Sequence, residues 1–389
     1  MVAVKLIGDG FTLALGCDNK GAFDFADNPV AGLMIGTIAT ALLHSSGTVT
    51  SIVVALVGSG GMTIRQGVYV IMGVNIGTCI TCIMVAFGQV GDRARFQRAM
   101  AAATVHDMYS LWSVFVLFPL EVLFHPLEEL SRAMSNAQTD SGAFSSPVEA
   151  IVNPLAKELI VVDKKSIYKM LAKVFMGPTK RLISKLLNYN GYINILVGTI
   201  IAFAVHSMTV VTSTLTPLAG LGVVSLEQVY PLVIGANLGT TGTALLAAMV
   251  TGKSDSVAIA LVHFWFNTFG ILLFYPIPIT RKPILSWARS LAFASAAWPM
   301  TAILFLVILF LIAPGILLGL VYMCTADSTA VEVIGYIVGA IVVVALGGAI
   351  FWYQKKGGRT VWHAFLEKKR QEREIQDPAR SSTHSNLAV

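Results

Sequence analysis

His44-Ser45 recurs in this chain as His206-Ser207, and the copying runs without a gap: 14 of the 38 positions from His44 to Thr81 are identical in the stretch His206 to Thr243. Thr50-Ser51 returns as Thr212-Ser213, and Gly73-Val74-Asn75-Ile76-Gly77-Thr78 returns as Gly235-Ala236-Asn237-Leu238-Gly239-Thr240. Both copies set hydroxyls and glycines inside strongly apolar surroundings. In lipid, broken helix is tolerated only where its backbone lines a cavity within protein. A helix restarting at Ser45 or Ser207 would aim its N-terminal amides, worth about half a positive charge, into such a cavity. The hydroxyls of Ser45, Ser46, Ser207 and Thr209 would add donors, which is chemistry suited to an oxyanion such as phosphate or sulfate. Singly, Ser45, Ser46, Thr50 and Ser51 read as small residues that let helices approach. As a duplicated cluster they read as a site between two halves of a transporter.

The second motif, Gly-x-Asn-[Ile/Leu]-Gly-Thr, predicts a further break in each copy. It gathers amide oxygens (Asn75, Asn237), hydroxyls (Thr78, Thr240) and glycine-freed carbonyls, the neutral oxygen set that a coupling cation uses. A glycine kink capped by asparagine accounts for one copy alone, but not for Asn and Thr at matching positions in both. These residues serve sodium or a proton alike.

The elements that must position these groups are membrane helices. Hydrophobic residues make up 55% of the chain and charged residues 12%, with a mean hydropathy of +0.74, too little polar surface for a soluble globule of this length. Apolar segments near 30–57, 64–88, 99–124, 192–221, 227–250, 256–278, 292–322 and 329–353 match helices that need about 20 residues to cross a bilayer. The 292–322 stretch fits a tilted helix or one broken near Pro314-Gly315. No secretory signal is legible. Cys17, Cys79, Cys82 and Cys324 give no disulfide framework, and the Cys79-x-x-Cys82 spacing reads as packing rather than a metal or redox pair.

The copying resumes after a five-residue slip, with Val105-His106 matching Val262-His263 and Phe118-Pro119 matching Tyr275-Pro276. Charge marks the ends of the third helix in opposite senses. Arg93, Arg95 and Arg98 precede it in the first copy, with Glu121, Glu128 and Glu129 at its far end, whereas Arg281, Lys282 and Arg289 follow it in the second. Because Lys and Arg favour the cytoplasmic side, the copies are expected to be inverted. Arg65 and Glu227, at matching positions, stand outside this pattern. The net charge of +6 resides largely in the tail after Tyr353, which places the C-terminus in the cytoplasm.

Through Asn28-Pro29-Val30-Ala31-Gly32, Thr50-Ser51-Ile52-Val53-Val54, Gly91-Asp92-Arg93, Ala103-Thr104-Val105-His106-Asp107, Tyr230-Pro231-Leu232 and Tyr275-Pro276-Ile277-Pro278, the chain resembles the type II sodium/phosphate cotransporters over nearly its whole length. The resemblance implies sodium-coupled symport of inorganic phosphate by alternating access, with sodium as coupling ion and no cofactor. It also implies that His44-Ser45-Ser46-Gly47 and His206-Ser207-Met208-Thr209 stand where the family carries Gln-Ser-Ser-Ser around phosphate. Both signatures are altered: histidine replaces glutamine twice, and Gly47 and Met208 each remove a hydroxyl. By the same resemblance Asp107 occupies the acidic position of an additional sodium site. A hydrogen bond to His106 or a hydroxyl is the plainer use of that carboxylate.

The expected architecture is an all-α polytopic membrane protein of two inverted repeats with discontinuous or re-entrant helices. Its divisions are a partial N-terminal segment (1–27), transport repeat 1 (28–124), a polar inter-repeat segment (125–190), transport repeat 2 (191–280), C-terminal transmembrane helices (281–353) and a basic cytoplasmic tail (354–389). Against the family, the helix ahead of each repeat is curtailed at the start and has no counterpart in 125–190, so the chain is a divergent or a truncated member. The expected substrate-binding set is His44, Ser45, Ser46, His206, Ser207 and Thr209; the sodium-binding set is Asn75, Thr78, Asn237, Thr240 and Asp107. Phosphate or a similar oxyanion, sodium, the lipid bilayer and tail-binding proteins are the expected partners, with no nucleic acid. The plasma membrane is the expected location. Alternatives are transport of another oxyanion, or a transport-inactive interaction protein that keeps the fold. An enzyme is not expected, since no motif orients a Ser-His-Asp hydrolase.

Overall fold

The computed structural model describes residues 24–139, 190–326 and 328–376. The expectations for Cys17, for residues 140–189 of the inter-repeat segment and for the end of the tail lie outside the described residues. Within them the regular structure is helical, and five helices are long and apolar enough to cross a membrane. The chain is an all-α polytopic membrane protein.

Two of the apolar segments are each a pair of helices, divided at the His-Ser interruptions expected from the sequence. The first is α1 (Pro29–Leu43) followed by α2 (Ser46–Ser59), and the second is α7 (Gly191–Val205) followed by α8 (Met208–Gly220). At about 1.5 Å per residue, α1 is roughly 22 Å long and stops short of a hydrocarbon core of about 30 Å. Between these pairs run α3 (Ile64–Val74), a 3-10 turn (Gly77–Cys79), α4 (Ile80–Phe87), α5 (Arg93–Phe124) and α6 (Pro126–Thr139). After α8 come α9 (Leu226–Thr251), α10 (Ser254–Phe274) and α11 (Pro278–Ala297). The expected 292–322 segment is divided at Trp298-Pro299, where α12 (Met300–Val307) begins. A π-helical turn (Ile308–Ile312) then leads into α13 (Ala313–Cys324). Pro314 thus produces a widened turn rather than a break, because its missing N–H is absorbed where the helix is already loosened. α14 (Thr329–Lys355) and α15 (Gly358–Gln376) complete the described chain.

The two copies fold alike down to single hydrogen bonds. Thr63 and Ser225 each open a helix with a capping box, answered by Gln66 and Gln228. Thr37 donates its hydroxyl to Leu33 O and Gly73 O, and Thr199 does the same to Ile195 O and Gly235 O. Glycine permits these crossings: a Cβ on Gly73 would lie 1.9 Å from Leu33 O, and one on Gly235 2.0 Å from Ile195 O. No side chain fits at that distance.

The third helix of each copy packs on the hairpin of the other. One apolar cluster joins α1–α3 to Ala258, Ile259, Val262 and Phe266 of α10. A second joins α7–α9 to Ala102, Val105, Met108 and Tyr109 of α5. Polar contacts fix the levels of the ends. Arg65, in the first turn of α3, bonds Glu128 of α6 at 2.9 Å, beyond the C-terminus of α5. Arg98, in the second turn of α5, donates to Gly220 O at the end of α8 at 2.7 and 2.9 Å. The N-termini of α3 and α9 therefore lie near opposite ends of α5, a 32-residue helix about 48 Å long. Lys253, between α9 and α10, donates to Gly58 O in the last turn of α2. The charge-reversed pair Arg65 and Glu227 also finds its reason here, since Glu227 is bonded to Arg289 as Arg65 is to Glu128. Each stands beside a counter-charge at its own end of the molecule.

Candidate functional site at the hairpin corners and the asparagine crossing

Each hairpin turns in two residues. His44 and His206 end α1 and α7 in the left-handed region, at φ 53 and 55, and Ser45 and Ser207 are extended and cap the next helix. Ser45 Oγ accepts from the Thr48 amide at 3.2 Å and from the Thr48 hydroxyl at 2.9 Å, while Ser207 Oγ accepts from the Val210 amide at 3.3 Å. Histidine is among the non-glycine residues that enter this region more readily than most. The non-glycine residues with positive φ among those described are His44, His125 and His206, all at helix ends. The histidines of the altered signatures thus hold the backbone corner, with exposed rings, while Ser45, Ser207 and Thr209 are half-buried and Ser46 is buried. Among the described residues no hydrogen bond joins Ser45 to Ser207. The space beside Gly47 is open, since a Cβ there would meet nothing within 4 Å. Met208 is buried in the second apolar cluster.

The expected cation set behaves differently. Asn75 and Asn237, equivalent positions 162 residues apart, touch: Asn237 Nδ2 donates to Asn75 Oδ1 at 3.2 Å. Asn237 Nδ2 also donates to Asn267 Oδ1 of α10 at 2.7 Å, and the His106 ring of α5 hydrogen-bonds the Asn237 side chain. Four helices therefore meet at one buried asparagine. Thr78 and Thr240 are buried but bond within their own segments, to Val74 O at 3.2 Å and Asn237 O at 2.7 Å. Asp107 is fully buried beside His106.

The second motif breaks its helix in only one copy, which corrects the expectation of a break in both. Asn75 and Thr78 donate to Ile71 O and Val74 O, carbonyls four residues back, and such back-bonding competes with the helical ladder. α3 ends at Val74. In the second copy the Asn237 amide is turned to Asn75 and Asn267 instead, and α9 runs on through Gly239 and Thr240.

Several groups in this core escaped the sequence-based site. His263, the counterpart of His106, has Nδ1 3.4 Å from the Thr50 hydroxyl of α2, while His106 Nε2 lies 3.4 Å from Ser110 Oγ. Cys82 Sγ is 2.8 Å from Thr212 Oγ1 of α8, a polar use beyond packing. Their signal was recurrence: His106 with His263, and Thr50 with Thr212, repeat as Asn75 and Asn237 do. Asn267 had none, because Ser110 occupies its matching position. In this arrangement amide donors satisfy amide oxygens across the centre, while capped helix starts at the two corners offer amides and hydroxyls. That division suits a cation near the asparagines and an anion near the serines.

Residues 1–125 and 164–351 match the family described as Na+/Pi-cotransporter. The chain is 33% identical over 390 residues to sodium-dependent phosphate transport protein 2A of Ovis aries, covering 75% of this chain and 61% of that one. It is 33% identical over 407 residues to sodium-dependent phosphate transport protein 2B of Homo sapiens, covering 75% and 59%. No solved structure gives a significant match. The chain spans about three-fifths of the length of these curated relatives. By its matched residues, the chain belongs to the Na+/Pi-cotransporter family.

Proposed function

We propose that the chain couples sodium entry to uptake of inorganic phosphate by alternating access between two inverted repeats. The observation that carries this reading is the Asn237–Asn75 hydrogen bond, which joins equivalent positions of the two copies in the buried core. Inversion is supported by the opposite levels of the α3 and α9 N-termini along α5 and by the swapped third helices. With one repeat turned over, hairpins α1–α2 and α7–α8 enter from opposite sides, and the starts of α2 and α8 face the middle of the bilayer. A solute there could be exposed to either side by rocking one repeat on the other.

In this reading Ser45, Ser46, Ser207 and Thr209 donate to phosphate oxygens together with the helix-start amides, and His44 and His206 line its approach. Asn75, Asn237, Thr78 and Thr240 exchange their present bonds for sodium, with Asp107 supplying negative charge. The repeats occupy 28–124 and 191–280. The names of the relatives support phosphate and sodium over other solutes, and the chemistry is transport rather than catalysis. The clustering of Arg93, Arg95, Arg98, Lys355 and Lys356 toward the α15 end supports a cytoplasmic C-terminus, and in this reading the protein works in the plasma membrane with its tail open to partner proteins.

Binding tests the assignment of sites. Purified full-length protein should bind radiolabelled phosphate more tightly as sodium replaces choline, and Ser45→Ala with Ser207→Ala should weaken phosphate binding at saturating sodium. Phosphate affinity independent of both sodium and the two serines would contradict it.

A further inference from the structure

At the Arg98 end, away from the asparagine crossing, α14 leaves the apolar region at Lys355-Lys356 and the chain doubles back. Gly357 takes φ 84, and a Cβ on Gly358 would lie 2.6 Å from Tyr353 Cα, so this corner is closed by two glycines. α15 is thereby laid on α11. Leu366 is buried against Ala294 and Ala297, the Phe365 ring stands edge-on to Trp298 at 5.3 Å, and Arg373 donates to Ala296 O at 2.8 Å and to Val90 O.

Beneath α15 this docking leaves a cavity of about 710 Å³, walled by α5, α11, α14 and α15. Its charged lining is wholly basic: Arg289 from α11 and Arg359 from α15, with His363 beside them, and neither Asp nor Glu contributes to the wall. Gln97 and Ser290 add uncharged hydrogen-bonding groups, and Trp362 closes one side. Among the described residues Arg359 forms no ion pair, and Arg289 has one exposed partner, Glu227, a pairing of the kind that contributes little. Two guanidiniums, an imidazole, an amide and a hydroxyl around one cavity fit the oxygens of a phosphate ester, which arginine engages bidentately. The neighbouring α14 is almost entirely exposed along its apolar length. The mouth therefore adjoins lipid at the depth where an aromatic ring and basic side chains meet headgroups.

We propose that this cavity is a second anion site, separate from the hairpin corners, which binds a phosphate ester carried by an anionic lipid headgroup or by a soluble organic phosphate. The probes are phosphatidylinositol 4-phosphate, phosphatidylcholine and glycerol 3-phosphate, added to the full-length protein in detergent and read by native mass spectrometry. Inorganic phosphate is left out, because it would compete for the same arginines. The phosphoinositide is expected to bind at least tenfold more tightly than phosphatidylcholine. Arg289→Gln with Arg359→Gln should abolish that preference, and Arg359→Lys should keep most of it. Displacement of the lipid by glycerol 3-phosphate would identify a soluble ester as ligand and its failure a lipid one, either supporting the site. Equal binding of the two lipids, or a preference unchanged in the double glutamine variant, would overturn the proposal. Both arginines are exposed, so the variants should fold, and an unchanged unfolding midpoint verifies this.

Discussion

Replacing Asn237 with leucine removes one buried amide and strands two acceptors, Asn75 Oδ1 and Asn267 Oδ1, which receive hydrogen bonds of 3.2 and 2.7 Å from the same nitrogen. A buried acceptor left without its donor costs about 1–3 kcal/mol, so Asn237→Leu should destabilise the protein by roughly 2–6 kcal/mol. Asn75→Leu should cost less, because Asn237 keeps its bond to Asn267. With both replaced, Asn75 no longer leaves a stranded oxygen, and the double variant should be more stable than the sum of the singles predicts, by about 1 kcal/mol or more. The assay is equilibrium unfolding of the purified full chain in mixed micelles, run as a double-mutant cycle. Additivity within about 0.5 kcal/mol would mean that the two asparagines do not interact, and the inter-repeat contact would be refuted. A near-neutral Asn237→Leu would refute the buried network as a whole.

Four further outcomes follow from the same geometry. Gly73→Ala and Gly235→Ala should each abolish folded protein in size-exclusion profiles, since each Cβ would fall within about 2 Å of a backbone oxygen. Ser45→Ala and Ser207→Ala should each lower stability by only about 1 kcal/mol, the value of a helix cap, while raising the KM for phosphate uptake. Gly47→Ser should be accommodated in its open space and lower that KM by restoring a hydroxyl. Met208→Ser should instead lower stability by about 2–5 kcal/mol through loss of a buried apolar side chain, seen as a lower Tm whatever its effect on affinity.

The sequence made the repeat, the His-Ser interruption and the helical membrane class legible, because each leaves a mark within one segment: matched residues, a polar break, a long apolar run. The 30–57 and 192–221 stretches divide where those interruptions stand, although the residues that end one helix and cap the next, His44-Ser45 and His206-Ser207, occupy only two positions each. Asymmetry between the copies was hidden. Asn75 and Asn237 are the same residue in matching motifs, yet one turns to its own helix and the other across the crossing, and only α3 breaks. His263 meets Thr50 across the two copies and Asn267 meets Asn237 within the second, contacts between separate helices that no local pattern reports. Arg65 and Glu227 looked anomalous until their partners, Glu128 and Arg289, were seen at their own ends of the molecule.

The most direct test of coupled transport is radiolabelled phosphate uptake into vesicles reconstituted with the full chain, comparing an inward sodium gradient with an equal potassium gradient. The proposed mechanism predicts transient accumulation of phosphate above equilibrium with sodium alone, lost in Asn237→Leu under conditions where the variant remains folded. Uptake that only equilibrates, at the same rate under either gradient, would contradict it.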